Sequence, residues 1–77
     1  MTSEKQAWRD FIGWCEREIA ERRDYLRPLE EGSVHTGKKS PDTGGVWKDT
    51  TQDDIDSLKG EIASIEAVIA QNRHRAD

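Results

Sequence analysis

The residues that most invite a chemical reading lie mid-chain, where Gly32-Ser33-Val34-His35-Thr36-Gly37-Lys38 follows the opening of the phosphate-binding pattern G-x-x-x-x-G-K-[ST]. Such a loop cradles phosphates only when a strand enters it and a helix leaves it, so that amide N–H groups and the helix dipole converge on the anion. Here a helical pattern precedes the segment, Lys39 stands in place of the Mg²⁺-binding hydroxyl, and Ser40-Pro41 follows. A glycine-rich turn is therefore expected, without nucleotide. Metal ligation needs clustered Cys and His, and Cys15, His35 and His74 are isolated from one another. Cys15 is expected as a small buried hydrophobe and the histidines on the surface. The acidic group Asp49, Asp53, Asp54 and Asp56 departs from EF-hand spacing and reads as compensation of a helix dipole. Ser33, Thr36 and Ser40 neighbour His35, but nearness in a loop supplies neither an orienting group nor an oxyanion device. No catalytic residue, metal ligand or cofactor is expected.

Aromatic and basic side chains offer the remaining chemistry, which is recognition. Trp47 with Lys38, Lys39 and Lys48 has the make-up of a contact site, the indole supplying desolvated area and the lysines steering an acidic partner. The competing expectation is that Val34, Val46 and Trp47 cap the end of a helical pair as a small satellite core. The same lysines, with Arg73 and Arg75 as a second patch, define the alternative of a nucleic-acid-associated regulator. Overall charge weighs against that alternative, since 12 Lys and Arg face 16 Asp and Glu for a net −4. In one antiparallel hairpin the two basic patches also sit at opposite ends.

The elements that position these residues follow from periodicity. Trp8, Ile12, Cys15, Ile19, Leu26 and Leu29 recur at three- and four-residue steps, with Arg22 filling one place in the stripe. Phe11 lies beside it, and Ala7, Trp14 and Tyr25 widen the apolar face to roughly 160°, more than one neighbouring helix covers. Ser3-x-x-Gln6 reads as a capping box at its start. Pro28 predicts a kink or restart, and Gly32 a left-handed stop. A second helix is expected from Thr50 or Thr51, with Thr51-x-x-Asp54 as cap. Its Ile55, Leu58, Ile62, Ile65 and Ile69 alternate as a heptad seam, followed by Asn72, and Gly60, Ala63, Ala67 and Ala70 form a small-residue stripe beside it. Between the helices, Ser33–Thr36 and Gly45–Lys48 favour strand around a turn-rich Lys39–Gly44 segment, predicting a small β-hairpin or an ordered loop.

The expected architecture is all-α: a single antiparallel helical-hairpin domain with helix 3–31, loop 32–50 and helix 51–75. Charge supports the orientation, because it places Arg22, Arg23 and Arg27 near Asp53, Asp54 and Asp56, and Arg73 and Arg75 near Glu4 and Asp10. A chain of 77 residues with 32% hydrophobic content buries a thin core, so a self-contained enzyme is not expected. Two helices share one contact line, which predicts dimerisation into a four-helix bundle through Trp8, Phe11, Trp14, Ile62, Ile65 and Ile69. No run approaches the length that spans a bilayer, no leader is apparent, and a lone cysteine suits a reducing compartment, so a cytoplasmic location is expected. The layout resembles small bacterial or phage-encoded helical-hairpin proteins in architecture alone, with no motif that carries residue roles. The function expected is a non-enzymatic, self-associating interaction module, an adaptor or regulator, that meets a further protein partner.

Overall fold

Two long helices, α1 (Glu4–Glu31) and α2 (Thr51–Ala76), pack antiparallel in the computed structural model, which describes residues 3–39 and 44–77. Their connection carries a two-stranded antiparallel ribbon, β1 (Gly37–Lys39) and β2 (Trp47–Asp49), and the whole measures 57 × 26 × 19 Å. The contact line between the helices is the expected stripe. Ile12, Cys15, Ile19, Leu26 and Leu29 of α1 meet Ile55, Ile62 and Ile69 of α2. The seam of α2 resolves into two tiers, because only every seventh residue stays centred on a single neighbour. Leu58 and Ile65 are half-buried at its margin. The core is thin, and its least exposed side chain, Cys15, retains 2% of its surface.

Both ends of α1 carry legible stop signals. Ser3 Oγ accepts the Gln6 N–H at 3.0 Å, but Gln6 turns its own side chain to Asp10, so half of the expected capping box forms. At the other end Gly32 takes φ 80°, its N–H reaches the Leu29 carbonyl, and the Ser33 N–H reaches the Pro28 carbonyl at 3.0 Å. That pair of bonds is a Schellman stop. Pro28 does not interrupt the helix as the sequence predicts. It lies in the final turn, where its ring costs only the bond to the Asp24 carbonyl, and Leu26 and Leu29 on either side hold the turn against α2.

The strands lie later than expected. Ser33 and Val34 both donate to the Pro28 carbonyl and so belong to the helix stop, and Gly45 takes φ 81°, which turns the chain instead of extending it. The ribbon pairs Gly37 with Asp49, Lys38 with Lys48 and Lys39 with Trp47. Ser40 to Thr43, the centre of the expected turn, lie outside the described residues. The phosphate-loop pattern thus runs from a helix stop into a strand, the reverse of the order a phosphate site needs.

The start of α2 is capped differently from the expectation. Thr50 is the N-cap but makes no side-chain cap bond, its hydroxyl donating to Asp54 at 3.2 Å. Asp49 supplies the acceptor instead, taking the Thr51 N–H at 2.8 Å. Thr36 continues the ladder: its carbonyl accepts the Thr50 N–H at 2.9 Å, and its N–H reaches Thr51 Oγ1 at 3.0 Å. The ribbon is thereby mounted on the first turn of α2.

Candidate interaction surfaces

The two sides of the hairpin differ in kind. On one side three ion pairs cross between the helices: Glu16–Arg73 at 3.8 Å, Arg23–Glu66 at 3.6 Å and Glu30–Lys59 at 3.1 Å. Their side chains are about half exposed, so each contributes at most about 1 kcal/mol, and together they lay charge along that flank. These partners correct the expected ones. Arg23 meets Glu66, Arg27 pairs with Asp24 of its own helix, and Arg73 meets Glu16. The orientation holds, but the register set by Glu30–Lys59 carries Asp53, Asp54 and Asp56 past the arginines to the end of α1.

On the other side Tyr25, Glu18 and Arg22 share a groove with Leu58 and Glu61. Phe11 and Trp14 lie two turns before Glu18 and Glu21 on the same face, about 55–115° around the helix from the buried line. Val68 lies two turns beyond Glu61. Here Phe11 is 40% exposed, Trp14 50%, Tyr25 63% and Val68 37%. The rings form a continuous row at the open end. Trp8 meets Phe11 edge-on at 5.8 Å, Phe11 stacks on Trp14 at 6.1 Å, and the Arg75 guanidinium lies 5.1 Å from the Trp8 ring centre. The cation and its stem leave Trp8 half-buried, while Phe11 and Trp14 face outward.

One charged cluster sits within this apolar side. Arg22 donates to Glu61 at 3.0 Å and to Glu18 at 3.1 Å, and those hydrogen bonds, that to Glu61 first, hold its guanidinium more firmly protonated than a free one. It thereby fills its place in the apolar stripe without leaving an unpaired charge.

Of the expected oligomer residues, Trp8, Phe11 and Trp14 fall together on the aromatic side, Ile65 stands half-buried at its margin, and Ile62 and Ile69 are spent inside the hairpin. Tyr25 and Val68 complete that surface. Their signal in the sequence was their place on the same helical faces as Trp14 and Ile65.

The ribbon separates the four residues of the expected contact site. Directly opposite residues of a β pair share a face, so Trp47 lies with Lys39, while Lys38 and Lys48 oppose each other on the reverse face. Trp47 is 54% exposed, yet its ring rests on Gly37, where an added Cβ would stand 2.3 Å from Cε2 and Cζ2 and 2.6 Å from the Lys48 carbonyl oxygen. Trp47 therefore lies against the ribbon's own glycine, and with Val34 46% and Val46 64% exposed the three do not form the satellite core expected at the helix ends. At the ribbon's base Asp49 accepts hydrogen bonds from the Thr51 hydroxyl and N–H. These, with a smaller effect of His35 at 3.8 Å, hold its carboxyl below the usual 3.8.

Among the described residues no helix is long and apolar enough to cross a membrane, and no three acidic, His or Cys side chains gather as a metal site. Comparison with protein-family models, with curated proteins and with solved structures finds no match to this chain.

Proposed function

We propose that the protein is a non-enzymatic, self-associating interaction module, a helical hairpin whose working form is a homodimeric four-helix bundle acting as an adaptor or regulator in the cytoplasm. The observation that carries this reading is the exposure of Phe11, Trp14 and Tyr25 on one side of the hairpin, each left about half exposed although each ring has area to bury. Phe11 and Trp14 stack on each other, Tyr25 stands three turns further along beyond the Arg22 cluster, and apolar area left exposed on that scale by a small chain marks an interface. Size supports it as well. Below roughly 70–80 residues one core rarely supplies more than about 3–5 kcal/mol, and small proteins add disulfides, a structural metal or association. This chain has a single cysteine, buried and unpaired, so no intramolecular disulfide staples it, which suits a reducing compartment and makes association a natural source of further stability. Nucleic-acid binding draws less support, since Arg73 is engaged by Glu16 and Arg75 by Trp8, at the end remote from the ribbon's lysines.

Sedimentation equilibrium of the full chain at micromolar concentration tests the reading. A dimer supports it. A monomer throughout, with salt-dependent retention on heparin or DNA, would sink it in favour of the nucleic-acid alternative.

A further inference from the structure

Resting on that self-association, we infer that the second copy seats on the aromatic side of the hairpin, antiparallel to the first, with the two β-ribbons at opposite ends of the bundle. The side is chosen by the asymmetry between the flanks. The ion-paired flank already matches its charges within one chain, whereas the other exposes Phe11, Trp14, Tyr25 and Val68.

Area agrees with a chain-sized partner. The exposed parts of three aromatic side chains come to roughly 230–380 Å², taking about 150–250 Å² as a whole ring's share. A standard interface buries about 800 Å² per partner, of which about 56–65% is apolar. With Val68, Ala7 and the half-buried Leu58 and Ile65 added, the aromatic side comes to most of the apolar portion, and the Arg22 cluster supplies polar surface that is already paired.

Charge chooses the orientation. Counted with both signs, the ribbon end carries six acidic side chains (Glu30, Glu31, Asp49, Asp53, Asp54 and Asp56) against four lysines, an acidic excess of two, and the open end carries four basic ones (Lys5, Arg9, Arg73 and Arg75) against Glu4, Asp10 and Asp77, a basic excess of one. Antiparallel copies set the acidic end of each beside the basic end of the other, twice by symmetry. Parallel copies would bring like ends together and crowd Lys38, Lys39 and Lys48 against their equivalents.

The test uses sedimentation equilibrium on the full chain and two variants, with helicity followed by circular dichroism. Trp14→Glu is expected to raise the dimer dissociation constant at least about 30-fold at unchanged helicity. Ala63→Glu, exposed on the ion-paired side, is expected to leave it unchanged. Should Trp14→Glu lose its helicity, Tyr25→Glu makes the same test with a ring that is 63% exposed in the hairpin. A dimer that survives Trp14→Glu and Tyr25→Glu but dissociates in Ala63→Glu overturns the choice of face and leaves self-association standing. A wild-type chain that stays monomeric overturns self-association itself. Nitroxide labels on Lys38→Cys, with Cys15 buried beyond reach, then read the orientation by dipolar spectroscopy. Antiparallel packing separates the two labels by more than the ~39 Å length of α2. A distance below about 30 Å, as neighbouring helices 8–10 Å apart would give, overturns it.

Discussion

Gly37 is the residue on which the ribbon depends most directly, because the Trp47 ring occupies the space a side chain would need. Gly37→Ala is expected to displace the ring or open the strand pair, at a cost of about 1–3 kcal/mol typical of overpacking. Trp47 emission, read in a background where Trp8 and Trp14 are replaced by Phe, should shift to the red. An unshifted spectrum would show that the ring does not depend on the glycine. Asp49 carries a second residue-scale prediction. Its folded carboxyl titrates below the usual 3.8, so the stability it contributes is present above that value and is lost as pH falls through the lower folded value. Thr51→Val removes the hydroxyl that does most of this, and the Asp49 titration followed by NMR should move up toward 3.8. Neither relationship is visible in the sequence. Gly37 and Trp47 are ten positions apart, and only the pairing of Lys39 with Trp47 shows that they share a face.

At the scale of elements, both helices, their antiparallel order and the Gly32 stop are legible in side-chain periodicity and turn chemistry, since each follows from local steric rules that tertiary contacts here only reinforce. Pro28 is where local reasoning fails. Helix rules weigh the missing N–H but not the packing of Leu26 and Leu29, which keeps the last turn in place. Pro28→Ala restores a donor to the Asp24 carbonyl, and the thermal midpoint is expected to rise, equivalent to about 1–3 kcal/mol; a fall would mean that the proline's restriction of the unfolded chain outweighs its strain. Gly32→Ala should lower the midpoint by the equivalent of about 1 kcal/mol, because φ 80° strains any side chain. The strands begin later than β propensity predicts for a related reason: the helix stop consumes Ser33 and Val34, and propensity alone does not register that competition.

For the whole molecule, the division of apolar residues between inside and outside was only partly legible. Periodicity marks Ile62, Ile65, Ile69, Phe11 and Trp14 alike as apolar, and only the docking of α1 on α2 shows which of them face the partner helix. That division makes a prediction. Ile62→Asp puts a carboxylate into the core between the helices and should unfold the hairpin at any protein concentration, unlike Trp14→Glu. If the dimer is the working form, the wild-type thermal midpoint should climb with concentration by mass action, and differential scanning calorimetry over a hundredfold range in concentration, worth about 2.7 kcal/mol in chemical potential, would register it.

The mounting of the ribbon on α2 bears on how the chain finds its structure. Contacts between Thr36 and Thr51 close a loop of only 15 residues, whereas the Arg9 side chain reaches the Ala76 carbonyl across 67. Closing the longer loop first costs about 1.3 kcal/mol more in chain entropy, so the hairpin is expected to assemble as a zipper from the ribbon toward the open end. The reverse holds for fraying: amide hydrogen exchange should be slowest near Leu29 and Ile55 and quicken toward Trp8 and Ile69, so the aromatic row stands on the part of the molecule that opens first.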